Sequence, residues 1–97
     1  MSRYTLSARA KLDIQLIWNY IAETDIDAAD RVKAEIRAAI TQLVRMPGMG
    51  HRRLDVNNPR YRFWTVFTYV IAYIPDAKPL YIVRVVHGAR NFKRLFK

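Results

Sequence analysis

The chain has 97 residues, 52% of them hydrophobic and 12% aromatic, which suits one compact domain spanning 1–97 and excludes a disordered tail protein. Seventeen Lys and Arg against eight Asp and Glu leave a net charge of +9, so the expected partner is acidic: a nucleic acid or an acidic protein. There is no cysteine, only two histidines and no apolar run of membrane-spanning length. No disulfide, metal, cofactor or membrane is expected, and the cytoplasm is the default location.

In chain order, Arg3 to Leu6 alternates like a short strand, and Ser7 is placed to cap the helix that follows. Apolar residues at Ala10, Ile14, Ile17, Trp18 and Ile21 mark one face of a helix over Ala8 to about Glu23. Leu12, Leu16 and Tyr20 form a second stripe, so this helix needs a second partner, either the next helix or another chain. A second helix is predicted from Ala28 to about Arg45, with Asp27 and Asp30 as its capping pair and Pro47-Gly48-Met49-Gly50 as its stop. The short linker between the two predicts an antiparallel hairpin.

The remainder reads as strand. Arg60 to Ile74 is too long for one strand and is divided at about Val66 to Thr68, although no glycine marks the turn. Pro75 to Pro79 is a turn. Leu80 to His87, stopped by Gly88, is apolar on both faces apart from Arg84 and is expected in the middle of the sheet. Phe92, Leu95 and Phe96 can dock as a last turn of helix or stay mobile. The order predicts an α+β fold: an N-terminal strand and a helix hairpin packed on one face of a small, mainly antiparallel sheet, with the other face partly open.

No phosphate loop, paired-histidine motif or catalytic triad is present. The polar groups that could act are arginines and His87. Phosphodiester cleavage needs proton carriers and cations; Arg53, Arg62, Arg84 and Arg90 could supply charge and His87 could carry a proton, with Tyr61 or Tyr69 as the second carrier. His87 at a strand end could equally fix a turn. Arg84 could pair with Asp13 or Glu35 on a helix as readily as meet a target.

Several stretches together resemble the ParE/RelE superfamily of toxins from bacterial type II toxin–antitoxin systems. They are Tyr4-x-Leu6-Ser7-x-x-Ala10-x-x-Asp13-Ile14-x-x-Ile17-Trp18-x-Tyr20-Ile21, the Pro47-Gly48-Met49-Gly50 turn followed by Arg52 and Arg53, Tyr69 to Tyr73, and Ile82 to Arg90. The Arg84-to-Arg90 ending, with Asn91, Phe92 and Lys93 after it and no tyrosine beyond Tyr81, looks more like the ParE branch. The resemblance implies growth inhibition, plasmid stabilization, and action on DNA gyrase or its DNA complex by binding. It assigns target contact to Arg52, Arg53, Arg62, Arg84, His87 and Arg90. It also implies an acidic, partly disordered antitoxin, docked on Leu12, Leu16 and Tyr20 and on Arg60 and Arg62. Under the RelE-like alternative the target is the ribosome with its mRNA, and His87, Arg84, Arg62 and Arg53 form the nuclease site. A non-toxic basic nucleic-acid-binding domain is the third reading.

Overall fold

The computed structural model describes residues 3–96. Strand β1 (Tyr4–Leu6) leads into helices α1 (Ala8–Ala22) and α2 (Ile26–Arg45) and a 3-10 turn over Pro47–Met49. Strands β2 (Arg62–Val66), β3 (Tyr69–Ile74) and β4 (Leu80–His87) follow, and then a short helix α3 (Phe92–Leu95). The sheet order is β1-β4-β3-β2, which places β4 in the interior as its two-sided apolar pattern requires. β1 pairs with β4 in parallel, and the other two pairings are antiparallel.

Ser7 caps α1 by accepting from the Ala10 N–H, and its hydroxyl also donates to the Val83 carbonyl at 2.7 Å. β1 is only three residues long, so β4 outruns it, and this bond satisfies the first backbone group left on the exposed edge. The cap of α2 is Asp25, whose Oδ1 accepts from the Ala28 N–H at 3.0 Å. That corrects the expected start by two residues. Asp27 lies inside the first turn, where a carboxylate complements the helix dipole, and Asp30 accepts from the Trp18 indole at 2.9 Å, tying the hairpin together.

The sheet is covered on both faces. Toward the hairpin, Ala10, Ile14, Ile36, Ile40 and Leu43 pack on Ile71, Tyr73, Leu80, Ile82 and Val85. On the reverse face Val56, Phe63, Val70, Ala72 and Val86 pack with Phe92 and Phe96, so the face expected to be partly open carries a second small core under α3. Alternation along β3 serves both layers, and this is why the strand reads as an unbroken apolar run.

The register of β3 with β4 slips by one residue: Ala72 faces Arg84 and Tyr73 faces Ile82, leaving Val83 without a partner in β3. Beyond the slip the period of two is broken. Ile82 and Val85, three apart, both join the helix-side core, while Val83 and Val86 both pack on the reverse side. Bulges of this kind re-aim side chains, and Arg84 sits at the step.

The β2–β3 loop is the two residues Phe67 and Thr68, as the strand-length limit predicted. Its tight reversal needs a positive φ, and Phe67 supplies it at 56°. The left-handed region costs a side-chain-bearing residue about 1–2 kcal/mol.

Tyr73 anchors the 3-10 turn from below. Its hydroxyl donates to the Pro47 carbonyl at 2.6 Å and accepts from the Gly50 N–H at 2.9 Å. A Cβ on Gly50 would lie 2.5 Å from that hydroxyl and 2.9 Å from the Phe63 carbonyl, so only glycine fits. Burial pushes the Tyr73 phenol above its ordinary value of 10. A raised acid pKa favours the neutral form in the fold, so this contribution is complete below about pH 10 and is lost as pH rises through the folded value. Urea midpoints of the parent should therefore fall more steeply as pH rises above about 10 than those of Tyr73→Phe; parallel curves would refute that role.

Candidate functional site

Where β4 ends, α1 and the β2–β3 hairpin leave a groove of about 460 Å³ between them. α1 contributes Arg9, Leu16 and Tyr20 to its wall, the hairpin contributes Thr68 and Tyr69, and His87 and Arg90 close the end. The second stripe of α1, for which the sequence allowed either the next helix or another chain as partner, is exposed in the fold: Leu12 is 43%, Leu16 50% and Tyr20 73% accessible. Leu16 and Tyr20 thus face the same space as His87 and Arg90.

His87 lies opposite Tyr69 in the ladder, and the two rings meet edge to face at 5.9 Å. Its Nδ1 accepts from the Ala89 N–H at 3.0 Å, which folds the chain back after β4. A nitrogen that accepts carries no proton, so the outward Nε2 is the donor. Tyr69 is held neutral beyond its ordinary range, chiefly by burial and secondarily by Tyr20.

Arg84 is not part of the groove wall. Its Nε and a terminal nitrogen grip Asp13 at 2.7 and 3.1 Å, and the same carboxylate accepts from the Val85 N–H at 3.0 Å. The side chains of Arg84 and Asp13 are only 13% and 7% exposed. Of the two readings that the sequence allows for Arg84, the helix carboxylate is the contact it makes. Asp13 therefore continues what Ser7 begins, satisfying the edge of β4 past the end of β1. Arg9, one turn earlier on α1, approaches Asp13 at 3.6 Å.

The remaining arginines lie elsewhere. Arg53 is on the reverse face, paired with both oxygens of Asp55 at 2.9 Å and stacked 3.8 Å over the Phe92 ring. The pairing raises the guanidinium pKa and lowers that of Asp55. Arg62 starts β2 and donates to the Gly50 carbonyl at 3.0 Å. It lies opposite Tyr73, while His87 lies opposite Tyr69. That separates them by four residues of β3, roughly 13 Å along the strand. Arg52 and Arg60 are exposed in the loop before β2.

The fold thus brings His87 and Arg90 together with Leu16 and Tyr20. It does not bring His87, Arg84, Arg62 and Arg53 into one cluster. Sequence reasoning missed Arg9 and Thr68 in the groove wall. Arg9 carries one signal, its i,i+4 spacing to Asp13; Thr68 carries none. Among the described residues no group of three or more His, Asp or Glu is placed to hold a metal ion, and no helix is long and apolar enough to cross a membrane.

Residues 4–92 match the family model described as the ParE toxin of the type II toxin–antitoxin system parDE. The chain is 30% identical over 92 residues to Toxin ParE1 of Caulobacter vibrioides, covering 94% of each sequence. Its fold is similar to a chain of the solved chromosomal ParDE toxin–antitoxin system from P. aeruginosa. The TM-score is 0.71 at 17% identity, over 89% of this chain and 98% of that one.

Proposed function

The chain belongs to the ParE toxin family of type II toxin–antitoxin systems, and from that footing we propose that it arrests growth by binding DNA gyrase or its DNA complex, without cutting RNA, until a cognate antitoxin covers it. The observation that carries this reading is the Asp13–Arg84 pair. Acid–base cleavage of a phosphodiester needs proton carriers and free cations around one phosphate. Here the most interior arginine is spent on a carboxylate, His87 uses one ring nitrogen on its own turn, and Arg53 and Arg62 are held away from it. What the groove offers is a surface: exposed aromatic and aliphatic side chains rimmed by Arg9, His87 and Arg90.

Neutralisation fits the same geometry. An acidic antitoxin segment would lay apolar side chains on Leu12, Leu16 and Tyr20, and its carboxylates would meet cations such as Arg60 and Arg62. A segment that orders on binding sacrifices some affinity and gains the reach to cover separated patches.

The test is a gyrase supercoiling assay with the purified chain beside ribosome-programmed mRNA cleavage on the same preparation. Supercoiling should be lost while the message stays intact. Cut message with unaffected gyrase would overturn the proposal and favour a nuclease built around His87.

A further inference from the structure

The hairpin tip beside the groove holds a residue that neither local conformation nor packing explains. A two-residue loop favours glycine, asparagine or aspartate where φ is positive, yet the residue at φ 56° is Phe67. Its ring is 59% exposed and belongs to neither core. Folding alone would be served better by a small polar residue. The tip is also firmly placed: the Gly88 N–H donates to the Thr68 carbonyl at 2.8 Å, and Tyr69 pairs with His87 in the ladder. Those bonds hold Phe67 next to the end of β4, where His87 and Arg90 are both exposed. Asp13, the carboxylate in the groove wall, is already occupied by Arg84, so the rim presents cations.

We propose that Phe67 is a stacking residue for unpaired or unstacked DNA bases, with Arg90 and the Nε2–H of His87 holding the neighbouring phosphates. The proposal rests on the gyrase–DNA reading above and names the part of that complex the hairpin tip meets. An exposed ring on a fixed turn offers a face to any base, and flanking cations on a chain of net charge +9 supply the attraction to the backbone. A rim without a free carboxylate suits a polyanion.

Binding of the purified chain to a labelled duplex with a short single-stranded gap, followed by fluorescence anisotropy over a salt series, tests this. Phe67→Gly and Phe67→Asn both suit the turn, so both should melt no lower than the parent. Both should bind at least about fivefold more weakly, the low end for losing one stacked base, with the salt slope unchanged. Arg90→Ala should reduce that slope by about one. Parent-like DNA affinity in both Phe67 variants would overturn the proposal, as would a lower melting temperature in both. It would also fall if they lost binding to a gyrase subunit without DNA while keeping DNA affinity, since the ring would then be a protein contact. A parent that inhibits gyrase without binding the gapped duplex would sink this inference and leave the gyrase reading standing. Phe67-dependent DNA binding without gyrase inhibition would do the reverse.

Discussion

Asp13→Ala should cost about 3–5 kcal/mol of folding stability, the range for removing one partner of a buried ion pair. The carboxylate accepts from Arg84 twice and from the Val85 N–H once, and Arg9 stands 3.6 Å away. An exposed ion pair of the same atoms would be worth 1 kcal/mol or less. The difference is what remains after truncation: a guanidinium with little access to water and a strand-edge N–H with no acceptor. Domains of this size are stable by only about 5–15 kcal/mol, and each kcal/mol moves the melting temperature by about 4–8 °C. The expected fall is therefore at least about 12 °C. Adding Arg84→Met should recover a substantial part of it, because the stranded charge is then gone. A double variant no more stable than Asp13→Ala alone, or a single variant that melts within 3 °C of the parent, would refute the account. One consequence bears on any toxicity screen. Loss of growth inhibition in Arg84→Ala reports a damaged fold unless a melting curve shows otherwise, whereas the exposed Arg90 side chain can be substituted with little structural cost.

Phe92→Ala should be comparably damaging, at about 3–5 kcal/mol. The ring is 1% exposed, meets Phe63 edge-on at 5.9 Å, stacks on Phe96 at 5.7 Å and lies under the Arg53 guanidinium. α3 has four residues and could not persist as an isolated helix. It exists because Asn91 caps it and its aromatic side fills the reverse face of the sheet. Truncating Phe92 should release the end of the chain and the Arg53–Asp55 loop together. In hydrogen exchange, amides of 94–96 and of Val56 should lose protection ahead of the sheet. A change under 1 kcal/mol, or protection lost uniformly, would show that the second core is dispensable.

Much of this molecule can be read along the chain. The 3.6-residue spacing of Ile14, Ile17, Ile21 and of Val32, Ile36, Ile40, Leu43 requires two helices. Ser7 and Pro47 mark a start and a stop, and the β-branched run from Leu80 demands an interior strand. Even the glycine-free turn at Phe67 and Thr68 follows from the length a single strand can reach. The second stripe of Leu12, Leu16 and Tyr20 was legible too, but whether the next helix or another chain would cover it was not, and the fold leaves it exposed. These are short-range effects, fixed by dihedral preference and by which side of a helix or strand a residue occupies. The family is likewise written in the sequence, since its motifs are ordered stretches of that kind.

The tertiary structure alone decided the rest. Arg84 was equally a candidate for target contact until the fold set it on Asp13, 71 positions earlier, and a one-residue slip in the ladder aimed it there. The two-sided apolar pattern of β3 and β4 asked for a cover on the reverse face, but which residues supply it, from Val56 in a loop to Phe92 and Phe96 at the end of the chain, was set only by the fold. The groove joins residue 9 to residue 90, and the set of arginines that composition suggested was divided between two faces and two ends of one sheet. Pairings of that kind depend on where the chain closes its loops, and a side chain's type and neighbours in sequence carry no record of that.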